Sequence, residues 1–252
     1  MNTWVKPLLI LIAALLLLAC DSSGTKQREL SDFVPENAFV TYKIKNFQSL
    51  KSDLENNGSA SHYASTEAYK YFATQHPLFS KLHVSTPSLL SLTRRNDSVI
   101  DYTFATHHAN LVGLDSLPNK KLETLTIGGR ELQKITIEKA VAYTAIIDSI
   151  FVASSSQMEL QQLHEGKSNT NASFKKAFAV KDGSDLSVVY QSPSISLREA
   201  TQTRLASHMS LEISLLPNAV KATGVALVQD TVPQLLSVFA GQTPQQNEIG
   251  TV

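Results

Sequence analysis

Hairpins punctuate the middle of this chain and limit its fold more than any other feature. Residues 88–93 and 98–106 are alternating runs on either side of Arg94-Arg95-Asn96-Asp97. Residues 122–127 and 131–137 flank Gly128-Gly129, and residues 141–147 and 149–153 flank Asp148. Alternation with period two, broken by Gly, Asn or Asp, predicts antiparallel pairs closed by tight turns. A further strand is expected at 38–44, another at 185–191, and a hairpin at 207–215 and 219–229 around Pro217-Asn218.

Helical signals fall between these runs. Asn46 caps a predicted helix over 47–55, with Phe47, Leu50 and Leu54 at helical spacing. Asn57-Gly58-Ser59 breaks it. A second helix is predicted over 65–75, with Ala68, Tyr69, Tyr71 and Phe72 on one side. Ser156 and Glu159 stand at capping-box spacing before a helix ending at Gly166. Asn171 caps 172–179, and Pro233 opens a last helix that Gly241 closes. No strand-helix-strand series is present. The expected class is therefore α+β, an antiparallel sheet built from hairpins with helices packed on one face. Strand, two helices and hairpin run over 38–106, and strand, two helices, strand and hairpin over 149–229, an order that fits either an internal duplication of a β-α-α-β-β unit, with units of about 31–115 and 116–245, or coincidence among short elements.

The N-terminus carries a different message. Residues 8–19 form an uninterrupted apolar run after Lys6. Twelve residues fall short of the roughly 20 needed to span a bilayer, and they fit the core of an export signal. Leu17-Leu18-Ala19-Cys20 resembles the lipobox of bacterial lipoproteins. The resemblance implies cleavage before Cys20, diacylation of its thiol and a lipid bilayer as partner. Residues 20–30 then read as a flexible tether and 31–252 as the folded domain. Asn247-Glu248-Ile249-Gly250-Thr251-Val252 could begin another strand, so a longer polypeptide is the expectation there.

Composition narrows the function classes. Removing residues 1–19 leaves 233 residues, enough for one large domain or two small ones. Lys6 leaves with them, so 22 acidic side chains face 21 of the 22 basic ones, and no basic run marks a nucleic-acid surface. Cys20 is the single cysteine, which excludes an internal disulfide and a cysteine zinc site.

Val34-Pro35-Glu36-Asn37-Ala38, the following Asn46-Phe47-Gln48-Ser49-Leu50-Lys51-Ser52-Asp53-Leu54, and the segments 144–156 and 211–243 resemble cell-envelope lipoproteins of Bacteroidota, especially flavobacteria. The resemblance implies an envelope address and adds no catalytic residue; the outer membrane is expected rather than the inner. Exported proteins of that group are O-glycosylated at Asp followed by Ser or Thr and then an apolar residue or Thr. Four such sites occur here, at Ser98, Ser116, Ser149 and Thr231. Asp-Ser is also ordinary turn chemistry.

Catalytic signatures do not emerge. The chain has no G-x-S-x-G, phosphate loop, G-x-G-x-x-G or H-E-x-x-H. His107 and His108 would point to opposite faces of a strand. Arg94-Arg95 beside Asp97 reads as a solvated hairpin tip, Ser154-Ser155-Ser156 as a helix cap, and Tyr69, Tyr71 and Phe72 as core. No metal or cofactor is expected. The leading expectation is a non-enzymatic, lipid-anchored envelope protein acting as a binding or interaction module. A carrier of a lipid or other apolar ligand is second, and a hydrolase of envelope polymers third.

Overall fold

A computed structural model describes residues 28–66, 76–78, 82–96, 99–107, 110–111, 120–180, 183–192, 205–228 and 234–242. The export signal and Cys20, residues 67–75 of the helix expected over 65–75, Ser98, Ser116, Thr231, Pro233 and the final ten residues lie outside them.

The elements in chain order are β1 (Ala38–Ile44), α1 (Phe47–Asn56), α2 (Gly58–Ala64), β2 (Leu82–His83), β3 (Ser88–Asn96), β4 (Val99–Thr106), β5 (Asn110–Leu111) and β6 (Lys120–Ile127). Then follow β7 (Arg130–Ile137), β8 (Ala140–Ile147), β9 (Ile150–Ser154), α3 (Gln157–His164), α4 (Ala172–Phe178), β10 (Leu186–Gln191), β11 (His208–Leu216) and β12 (Ala219–Leu227). Short 3-10 helices cover Leu30–Phe33 and Leu235–Phe239. Ten strands form one sheet in the order β12-β11-β10-β1-β3-β4-β9-β8-β7-β6, with β2 and β5 as a separate pair. Among the described residues every pairing is antiparallel.

The expected hairpins form, and their turns are the ones the residues permit. Gly128 and Gly129 have φ of 58° and 76°, and Asp148 and Ser149 have 49° and 68°. Positive φ at both central residues is the hairpin geometry whose twist matches the strands. Glycine adopts it without strain, whereas Ser149 does so at some cost. Glu138 and Lys139 make a third two-residue turn between β7 and β8, which the residue pattern did not announce. A meander of four strands results, turning every ten residues.

Helices cover both faces of the sheet, not one. On one face Ala105, Ile147, Ile150 and Val152 pack against Leu160 and Leu163 of α3. On the same side Leu89 and Val189 meet Phe174 and Ala177 of α4. On the other face Phe104, Ile135, Ile137, Ala142 and Ala153 pack with Leu78, Leu82 and Val84, and Phe47 of α1 joins them. Phe104 and Ala105 are consecutive and project to opposite faces. With both faces covered, Asp101 to Thr106 are buried without alternation.

The expected pair of units shares this single sheet. β1 pairs with β3 directly, whereas β9 and β10 are separated by β4, β3 and β1. The polar lead-in also ends earlier than expected. Arg28 donates from Nη1 to the Leu163 carbonyl at 2.8 Å and from Nη2 to the Asp32 carbonyl at 2.7 Å, with its guanidinium 4.1 Å from the Phe33 ring centre. Residues 28–30 thus belong to the folded body.

The break after α1 has a second use. Asn57 Oδ1 accepts from the Ala60 amide at 2.8 Å and so caps α2, a helix the breaker signal hid. Asn57 Nδ2 donates to the carbonyls of Leu216 and Ala219, and the Gly58 amide donates to the Pro217 carbonyl at 2.8 Å. A Cβ at Gly58 would lie 2.9 Å from Asn218 Oδ1. This corner therefore locks the β11–β12 turn onto the N-terminal helices.

Candidate functional site

The helix-covered centre of the sheet carries a seam of polar side chains, and it is the densest chemistry among the described residues. The register aligns Thr41, Ser91, Thr103 and Ser154 across β1, β3, β4 and β9. All four are buried. Thr41 and Ser91 hydroxyls lie 3.2 Å apart, as do those of Thr103 and Ser154. Ser154 Oγ donates to the Tyr102 carbonyl at 2.8 Å and accepts from the Ser156 amide at 3.0 Å. The seam separates the apolar cluster under α3 from the one under α4.

Two carboxyl groups enter this seam. Asp101, which is 3% exposed, accepts from Arg95 Nε at 2.7 Å, from Arg95 Nη2 at 2.5 Å and from Ser155 Oγ at 2.8 Å. Ser155 Oγ in turn accepts from the Tyr102 amide at 3.0 Å. The hydrogen bonds that Arg95 donates to Asp101 raise the Arg95 pKa. Glu159 comes from α3 and accepts from Thr93 Oγ1 and, at 3.0 Å, from Thr103 Oγ1. Burial pushes the Glu159 pKa up, opposed by the two threonine hydroxyls, while the Asp101 charge adds to the upward shift.

Proton counting agrees with that direction. Thr103 has one hydroxyl proton but two acceptors, Glu159 Oε2 and Ser154 Oγ. Ser154 has committed its own proton to Tyr102. Were Glu159 to take up a proton, the carboxyl would donate to Thr103 and the Thr103 proton would be free for Ser154.

A stability trend follows. Because the folded-state pKa is raised, the contribution of Glu159 is complete below the ordinary carboxylate pKa. It is lost as pH rises through the folded value. Glu159→Gln, which does not ionise, is expected to gain stability relative to the parent chain as pH rises from about 4 to 8. Urea midpoints across that range test this; a pH-independent difference would refute it.

The capping box is only half made. Ser156 Oγ accepts from the Glu159 amide at 3.3 Å, but the Glu159 carboxyl turns away to the threonines. The three consecutive serines are all engaged, Ser154 and Ser155 in the seam and Ser156 as the cap. Arg95 is not a free hairpin-tip cation, since its guanidinium is bound to Asp101. The exposed His107 follows β4, and His108 lies outside the described residues. Ser149 is exposed at the β8–β9 turn, where its hydroxyl is accessible. The signal in the residues that could have located the seam is an acid and two threonines in the run 101–106, beside Tyr102, Phe104 and Ala105.

On the opposite face, the His76 ring meets Tyr102 edge-on, with centroids 4.9 Å apart. Burial lowers the His76 pKa and raises that of Tyr102, with Asp101 opposing the shift at His76. They border a crevice with Leu78, Ile135 and Ile137 that has room for about one water molecule. Among the described residues no three His, Cys, Asp or Glu side chains converge on a metal-sized site. No described helix is long and apolar enough to cross a membrane.

These elements define an α+β chain built on a large antiparallel sheet. No protein-family profile matches the sequence, and no curated protein matches it. Among solved structures the chain is similar to crystal form I of TP0453, at 9% identity and a TM-score of 0.45, over 86% of this chain and 85% of that one. Crystal form IV of TP0453 gives 9% identity and a TM-score of 0.42, over 81% and 82% respectively.

Proposed function

We propose that this chain is a non-enzymatic protein of the bacterial cell envelope, anchored in the lipid bilayer through acylated Cys20, whose folded part is a binding or interaction module. The observation that carries the reading is the single cysteine at the end of a twelve-residue apolar run. Two acyl chains anchor stably where one is marginal. Arg28, the first described residue, is docked on the body and follows Cys20 by eight positions. At ~3.5 Å per residue this holds the body within roughly 30 Å of the bilayer.

The seam supports a structural use of its polar groups. Asp101 and Glu159 spend their oxygens on Arg95, Ser155, Thr93 and Thr103 within the fold. The outer membrane is the proposed address, and Bacteroidota lipoproteins the proposed relatives, both on the resemblance of the N-terminal segments. Ser98, Ser116, Ser149 and Thr231 are proposed as O-glycosylation sites on the same footing.

Cys20→Ser tests the anchor. The parent chain is expected to take up labelled palmitate and to partition into the detergent phase on Triton X-114 separation. The variant is expected to lose the label and to keep the uncut signal. Equal labelling, or a product of unchanged mass after globomycin treatment, would overturn the reading. The intact mass of the mature chain separately reports any glycan.

A further inference from the structure

We propose that two copies of this chain associate by antiparallel pairing of β12 with β12, extending the ten-stranded sheet across a twofold axis. The strand is at one end of the sheet, and among the described residues it pairs only with β11. Its outer row of amides and carbonyls is a template for another strand. β12 is nine residues long, and eight of the nine are exposed. Val220 and Val225 are 52% and 46% exposed, beside Leu216 at 47%. Its only charge is Lys221.

The other end of the sheet is defended. β6 begins with Lys120 and Lys121, and Glu123 bonds Lys121 Nζ at 2.8 Å and Lys134 Nζ at 3.1 Å. Charged side chains of this kind are how native sheets block edge pairing. A β6-to-β12 contact would also propagate without closing, whereas β12-to-β12 closes as a dimer.

Charge and parity select the register. A twofold axis normal to the sheet pairs residues of equal parity, so that facing side chains share a face. Centring at Thr223 pairs all nine residues, with Ala219 opposite Leu227, Val220 opposite Ala226 and Lys221 opposite Val225. Each lysine then faces a valine. Centring at Lys221 would put the two ammonium groups face to face, which is destabilising. At Thr223 the two hydroxyls meet, a favourable cross-strand pair. Gly224 keeps β12 close on its own sheet, since a Cβ there would lie 1.9 Å from the Ser210 carbonyl oxygen.

The pairing rests on the edge strand and is independent of the lipid anchor, so it is tested on the full chain carrying Cys20→Ser, purified in mild detergent. An added thiol is then the only one present. Facing residues of an antiparallel pair lie ~4.5–5.5 Å apart at Cα, within disulfide range. Under mild oxidation Thr223→Cys is expected to form an intermolecular disulfide at least about a hundredfold faster than Leu122→Cys on β6. A paired thiol sees an effective concentration on the order of millimolar, against micromolar for free encounter. Sedimentation of the cysteine-free chain is expected to give twice the monomer mass. Val225→Lys is expected to return it to the monomer with an unchanged circular dichroism spectrum. A monomer at ~100 μM, equal cross-linking at the two edges, or a dimer that survives Val225→Lys would each overturn the proposal.

Discussion

Phe104→Ala lowers the unfolding free energy by about 3–5 kcal/mol. The side chain is fully buried and lies in the cluster where Leu78, Leu82 and Val84 attach to the sheet. Its ring meets Phe47 edge-on at 5.6 Å between centroids, so it also fixes the start of α1. Truncation removes the transfer energy of the ring, leaves a cavity, and takes away an aromatic pair worth about 0.5–1.5 kcal/mol. Urea unfolding of the purified chain measures the loss. Leu122→Ala, on an exposed edge position, is the control and is expected to change stability by less than about 0.5 kcal/mol. A Phe104→Ala loss below about 1 kcal/mol would show that this face is not part of the cooperative core.

Asp101→Ala costs about 2–3 kcal/mol. The carboxylate is buried and takes three hydrogen bonds, two from Arg95 and one from Ser155. Removing one member of a buried pair leaves its partners unpaired. The cost stays below the range for a fully buried pair because the Arg95 side chain is about half exposed and regains water. A double-mutant cycle with Arg95→Met separates the ion pair from the Ser155 bond. If both single variants and the double variant unfold at the parent urea concentration, the seam has no role in stability.

How much of this could be read in the residues differs from element to element. Gly128-Gly129 announced its turn because two adjacent glycines admit positive φ at both positions. Asn46, Ser156 and Asn171 announced helix starts because their side-chain oxygens can reach amides two or three residues ahead. Glu159 fitted a capping box equally well, but that local rule lost to a tertiary one. Once α3 docks, Thr93 and Thr103 offer hydroxyls to its carboxyl from another part of the chain. Helix α2 was missed because Asn57 reads as a stop signal, while its amide is held by the turn at 216–219.

Cys20, the apolar run before it and the hairpin periodicity are one-dimensional facts, and the chain alone determined the expected address and the antiparallel character of the sheet. Local spacing carries turns and caps because their energetics involve neighbours within about four residues. The order of the ten strands, the covering of both faces and the meeting of Arg95, Asp101, Ser155 and Glu159 were decided only by tertiary structure. Those contacts depend on which distant surfaces bury each other. A period of two states that one face is unlike the other, but it does not state what will cover either.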